Sequence, residues 1–290
     1  MAGKIWMTVA AACALLVVIS AAAAATPDVA SMTLQPADVP GAKVTHQGAV
    51  PEKGYLAAYS REFTFAKPNG SAKLIGIEAE VMVAASAATA TKDVAQLETA
   101  LRTKAGRALF VKTVASQAKV KASAVVVGKL RKVAGYDQGF ELPVSVKVKS
   151  AHVYETLVNL RIDRVAVLMV EFGLRPVGGA SGKYEAAIAS HIGTALAPAS
   201  VSPPTIAGTP QQGQTLTASP GTWTADDATF AYQWQHCDAA GANCVAIAGA
   251  TAQTYVVSST DVGATLRVVV TASNRFGAPA ATSAQTTAVS

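Results

Sequence analysis

The segment Gly178-Gly179-Ala180-Ser181-Gly182-Lys183-Tyr184 follows a strand-like run and opens a helix-like one, as a phosphate-binding loop does. A G-x-x-x-x-G-K-[ST] cradle needs glycine where Val177 stands and a magnesium-binding hydroxyl where Tyr184 stands, so two of its four markers fail and the segment reads as a turn into a helix. Its inner part, Gly179 to Lys183, lacks the last glycine of a G-x-S-x-G nucleophile elbow. His46, His152, His191 and His236 include no pair at ligand spacing and no H-E-x-x-H, so neither a triad nor a metal centre is implied. Glu78 and Glu80, two apart on a strand, share a face and have the residue types for paired acid–base work. Ile77, Ala79, Val81 and Val83 fill the opposite phase, which predicts a solvated polar face for the two carboxylates. Basic residues recur in i, i+2 pairs: Lys119/Lys121, Lys129/Arg131 with Lys132, and Lys147/Lys149. On strands each pair would share a face. The set would then form a ridge that attracts anionic envelope polymers, acidic glycans or lipid headgroups. Nothing resembles an aromatic-lined basic platform for nucleic acid.

The elements that must carry these residues come from a chain of 290 residues with 51% hydrophobic and 14% charged side chains. It is too apolar to remain a solvated coil and long enough for two domains. Val94, Leu97, Leu101, Ala105 and Leu109 recur at helical spacing within Ser86 to Phe110, with acidic residues early and basic ones late. Tyr184, Ile188, Ile192 and Leu196 mark a second helix. Strand patterns cover Tyr59 to Phe65, Lys73 to Val83, Val125 to Val133, Gly139 to Val148, His152 to Ile162 and Val165 to Leu174. The short Asp163-Arg164 step predicts an antiparallel hairpin. The order implies an α+β domain over residues 26–197, with two helices packed on one face of an antiparallel sheet. This order resembles the PsbP/Mog1-type exported domains of actinobacterial lipoproteins and sensor-kinase ectodomains.

Lys4, the charge-free stretch from Ile5 to Ala25 and the small residues Ala23-Ala24-Ala25 form a secretory leader, residues 1–25, cleaved near Ala25. Uncleaved, its 21 residues would serve as a membrane anchor. Cys13 precedes the most apolar part of the leader and is not placed for lipidation. Cys237 and Cys244 remain, and in an oxidising compartment they are expected to pair. Closing so short a loop contributes roughly 2.5 kcal/mol in the chain-entropy picture.

Residues 198–204, rich in proline and small side chains, read as a linker. Residues 26–200 hold 21 Lys+Arg against 14 Asp+Glu, net +7, and residues 201–290 hold 2 against 4, net −2. In the second half Phe230, Tyr232 and Trp234 alternate with polar residues, as do Leu266, Val268 and Val270, giving the inward faces of a sandwich. The motifs Gly213-Gln214-Thr215-Leu216-Thr217-Ala218, Pro220-Gly221-Thr222-Trp223, Tyr232-Gln233-Trp234-Gln235, Asp261-Val262-Gly263 and Leu266-Arg267-Val268-Val269-Val270 resemble bacterial, actinobacterial Ig-like surface modules over residues 205–290. That resemblance implies an all-β Ig-like sandwich with Trp223 and Trp234 as packing residues rather than sugar platforms. The inter-sheet disulfide of antibody domains is missing, since neither Leu216 nor Val268 is a cysteine.

The expectation is therefore a secreted or cell-surface protein that binds rather than catalyses, with no cofactor and no metal. Its expected ligand-contacting residues are Lys129, Arg131, Lys132, Lys147 and Lys149. An enzyme with a motif-less site in the first domain and a structural spacer are the alternatives.

Overall fold

The computed structural model describes residues 28–50, 52–177, 182–225 and 227–290. The expected leader, with its cleavage or anchoring, and residues 178–181 of the glycine-rich segment read against a phosphate-binding loop lie outside them. The chain divides into two compact units, one ending at Ala195 and one spanning Leu196–Ser290.

In the first unit β1 (Ala42–Ala49), β2 (Tyr55–Asn69), β3 (Leu74–Ala84), β4 (Val125–Val127), β5 (Arg131–Lys132), β6 (Gln138–Val148), β7 (Ala151–Ile162) and β8 (Val165–Gly173) form one eight-stranded antiparallel sheet. Its order is β1-β2-β3-β8-β7-β6-β4, with β5 also on β6. The helices are α1 (Val29–Met32), α2 (Ala87–Arg102), α3 (Lys104–Gln117) and α4 (Gly182–Leu196). The hairpin predicted at Asp163-Arg164 is present: Ile162 pairs with Val165, and Asp163 takes φ 54°.

Among the described residues, the two helices expected on one face become three long helices on two faces. The helix expected over Ser86 to Phe110 breaks at Thr103, whose extended backbone ends α2 while its hydroxyl accepts the Gly106 N–H at 3.0 Å and caps α3. Val94, Leu101, Val114 and Ala115 of these helices pack on Phe140, Leu142, Val144, Leu157, Leu168 and Val170. Residues of the opposite face of the same sheet, including Phe63, Ile77, Val81, Leu160, Val167 and Met169, are also at most 1% exposed. That second face is covered by the chain around α1, where Thr33 Oγ1 bonds the Ala79 carbonyl, and by α4 with its buried Tyr184, Ile188 and Ile192. All nine residues of β8 are buried as a result. The sheet also gains β1, an exposed edge strand whose weak alternation left no signal, and the Val125 to Val133 run splits around Gly128. A side chain there would collide with Pro143, while the Gly128 N–H bonds the Pro143 carbonyl at 2.7 Å.

The second unit contains β9 (Ser200–Ser202), β10 (Thr205–Ala207), β11 (Thr215–Ser219), β12 (Thr222–Trp223), β13 (Thr229–Cys237), β14 (Val245–Ala246), β15 (Thr254–Val256), β16 (Thr265–Ser273) and β17 (Ala280–Thr282). Sheets β10-β11-β15 and β14-β13-β16-β17 enclose a core of Leu216, Ala218, Trp234, Leu266, Val268 and Val270. Full burial of leucine and valine side chains such as Leu216, Leu266, Val268 and Val270 is worth about 1.5–3 kcal/mol each, and the packing joins the two sheets without a bridging disulfide. Trp234 is fully buried, Tyr232 half-buried and Phe230 39% exposed, so the expected inward face of β13 holds only toward its C-terminal end. Both indole N–H groups are satisfied, Trp223 by the Pro220 carbonyl and Trp234 by that of Ala252, in keeping with packing roles. Cys237 and Cys244 are joined, S–S 2.00 Å.

Residues 198–204 are not a bare linker. Within them β9 pairs with β12, Ser202 and Thr222 share a hydroxyl contact of 2.8 Å, and Pro204 is buried. Small residues without periodicity hid a strand that needs only backbone partners.

Candidate functional site

The basic residues do not form strand pairs. Lys119 (φ 54°) lies in the turn after α3, Lys121 precedes a short 3-10 turn, and Lys129 lies in the break between β4 and β5. Lys149 (φ 55°) is in the β6–β7 turn, so it does not continue the strand that carries Lys147. Arg131 pairs across from Glu141 and its guanidinium meets that carboxylate at 3.1 Å. Lys132, paired with Phe140, points to the other face. Lys147 shares the Arg131 face but stands six residues along β6 from Glu141, roughly 20 Å at ~3.3 Å per residue. The ridge expected from Lys129, Arg131, Lys147 and Lys149 therefore has no continuous geometry, because breaks and turns reset the two-residue period.

The structure brings Lys129 instead to Arg102 and Arg107. These three, with Leu101, Val127, Gly128 and Leu130, line an open groove of about 530 Å³. The α2–α3 break creates it, since Arg102 is the last residue of one helix and Arg107 lies in the first turn of the next. The Arg107 guanidinium donates to the carbonyls of Val127 (2.8 Å) and Gly128 (2.6 Å), tying the helix to the strand break. Arg102 reaches Glu98 at 2.6 Å along the helix and is mostly exposed. Lys129 is exposed and has no ion-pair partner among the described residues. The groove is thus cationic, open to solvent and braced from within. In the sequence Arg102 and Arg107 are among the late basic residues that suit the dipole of one long helix, and only the capping pattern Thr103-x-x-Gly106 signals the break.

Glu78 and Glu80 are not a solvated face. Burial, then Glu62 directly across the β2–β3 ladder and neighbouring Glu80, push the Glu78 carboxyl up to about 7 against a weak contact from Ser60 Oγ at 3.5 Å. Burial, then Glu52, push Glu80 to about 7, and its Oε1 is buried without a hydrogen-bond partner among the described residues. The cause is α2, which packs over this phase of β3, where Tyr55 and Met82 also join the core. Both carboxyls move the same way for the same reason, so the pair does not separate into an acid and a base as two-carboxylate chemistry requires. Burial likewise raises Glu155 to about 7.

The histidines stay apart. His152 stacks on Tyr154, His191 meets Asp38 at 2.9 Å, and His236 meets Asp261 at 3.2 Å. Among the described residues no three His, Cys, Asp or Glu side chains converge as a cation site would require. No described helix is long and apolar enough to cross a membrane.

No family model matches the chain, and no curated protein matches it. Among solved structures it is similar to the extracellular domain of PknH from Mycobacterium tuberculosis, with 9% sequence identity and a TM-score of 0.37 over 58% of this chain and 99% of that one.

Proposed function

We propose that this chain is an exported, non-catalytic binding protein whose first unit takes an anionic group of an envelope polymer into the groove between Arg102, Arg107 and Lys129. The observation that carries the reading is the geometry of that groove: three cationic side chains surround one opening, and Lys129 has no ion-pair partner among the described residues. The net charge of +7 over residues 26–200 would draw a polyanion toward it. Export is supported by the leader pattern of residues 4–25 and by the Cys237–Cys244 disulfide, which persists in oxidising compartments. The second unit is read as an Ig-like interaction module on its sequence motifs and its two-sheet core.

The test is equilibrium binding of the full chain to a poly(glycerol phosphate) and to a neutral glucan of similar length. The polyanion alone should bind, and the affinity should fall steeply between 0.1 M and 1 M salt as the Debye length shrinks from about 10 Å to about 3 Å. Lys129→Glu with Arg102→Glu should remove most of it, whereas Lys147→Glu with Lys149→Glu should weaken it only slightly. Equal loss in both double variants would assign the binding to overall charge and reject the groove.

A further inference from the structure

Glu171 of β8 is fully buried, and among the described residues neither of its carboxyl oxygens has a hydrogen-bond partner. Its neighbours across the sheet are Ile77 of β3 and Thr156 of β7, and the Thr156 hydroxyl is committed to the Val177 carbonyl at 2.7 Å. Against it lies the first turn of α4, whose Glu185 is 3% exposed. The charges that reach this place are few. Glu185 and Lys183 approach from α4, and Glu141 approaches from β6, already held by Arg131 of β5. Tyr136, between β5 and β6, faces Glu185. Farther along α4, His191 is bonded to Asp38. Two carboxyl groups thus meet where a helix seats on a sheet, and a charged Glu171 would have no donor to accept from among the described residues.

We propose that Glu171 carries a proton while α4 is seated on β8, and that losing this proton to solvent unseats the first turns of α4: a pH-sensitive latch. The step breaks only the carboxyl O–H bond, passing the proton to water and leaving a second negative charge beside Glu185. Burial, then Glu185, push the Glu171 carboxyl up to about 8, with Lys183 opposing and Glu141 adding. The seated state therefore holds more protons than the unseated one between 4.5 and about 8. Seating is strongest below that window, weakens through it as pH rises, and loses nothing further above it.

Hydrogen exchange of the full chain, corrected for the intrinsic effect of pH, tests this. Protection of α4 amides should fall at least about tenfold from pH 6 to pH 9, while β16 of the second unit stays constant. Glu171→Gln, uncharged and of the same shape, should abolish the fall, and Glu185→Gln should reduce it. Unchanged protection in the native chain overturns the latch. So does a fall that persists in Glu171→Gln, which would assign it to Glu78, Glu80 and Glu155 on the opposite face. Should Glu171→Gln fail to fold, infrared difference spectra of the native chain decide. A protonated-carboxyl band lost in step with α4 protection supports the latch, and loss of protection without it overturns it.

Discussion

Asp261 shows how one side chain organises an element. It is 1% exposed and accepts from the Tyr255 hydroxyl (2.7 Å), the Ser258 hydroxyl (2.8 Å) and the Ser258 N–H (2.8 Å), with His236 Nδ1 at 3.2 Å. Burial alone would raise its carboxyl, but the bonds from Tyr255, Ser258 and His236 outweigh it and hold the group below 3.8. Asp261→Ala should therefore cost the second unit about 1–3 kcal/mol in a denaturant titration near pH 7, because it removes charge-assisted hydrogen bonds and leaves half-buried donors on Tyr255, Ser258 and His236 unpaired. A depressed carboxyl stabilises only above its unfolded value, so this difference should shrink as pH falls through the folded one. Asp261-x-Gly263, one of the Ig-like motifs of the sequence, forms a turn, with Gly263 at φ 84°. Its partners were not legible, since His236, Tyr255 and Ser258 converge only after β13, β15 and β16 have formed. The disulfide was legible, as two cysteines remained once the leader was set aside. Its loop is already shaped by Asp238, which accepts from the Ala242 N–H and the Asn243 side chain, each at 2.8 Å. Replacing both cysteines by serine should thus cost less than the roughly 2.5 kcal/mol of the entropic model, measured as the shift in urea midpoint.

Among elements, the α2–α3 break is where local sequence and tertiary structure meet. A glycine inside a helix ordinarily loses up to about 1 kcal/mol against alanine, so Gly106→Ala would be expected to stabilise α3. Here the added Cβ would run into the Ala100 carbonyl that ends α2. Gly106→Ala should instead lower the melting temperature of the first unit and, by displacing Arg107, weaken the polyanion binding proposed for the groove, whereas the exposed Ser116→Ala on the same helix should be neutral or slightly stabilising. A melting temperature raised by Gly106→Ala would show that the break is not fixed by this contact. Periodicity found the amphipathic stripe of these helices because Val94 and Leu101 face one core, but it cannot count two helices where one stripe runs across a cap. It found β7 and β8 because their β-branched runs are long. It misjudged Glu78 and Glu80 because alternation shows which face is apolar and cannot show that α2 covers the other. The basic pairs failed for a related reason: an i, i+2 rule holds only inside a strand, and Gly128 and the Lys149 turn end the strands first.

At the scale of the whole chain, the question is where the second unit begins. The charge change and the small-residue stretch placed its start at residue 205, after a linker. The structure instead ties the chain before that point into the unit. Asn274 Nδ2 donates to the Leu196 carbonyl at 2.8 Å, the Thr224 N–H donates to the Ala199 carbonyl at 3.0 Å, and β9 pairs with β12. Gly221 (φ 77°) packs so closely on Ser202 and Pro203 that a Cβ there would overlap their backbone. These are backbone partners, so the segment can be built from alanine, serine and proline and leave no hydrophobic trace in the sequence. A fragment 196–290 should therefore unfold cooperatively, while 205–290 should melt at a lower temperature, having lost a ladder that leaves β12 without a partner. Gly221→Val in the longer fragment should approach the behaviour of the shorter one, because it forces Ser202 and Pro203 away from β12. Limited proteolysis of the full chain discriminates in the same direction: cleavage between residues 200 and 204 should be slow while β9 is paired, and Gly221→Val should expose it. Equal melting temperatures for the two fragments, with rapid cleavage at 200–204 in the native chain, would restore the linker and move the start of the unit back to residue 205.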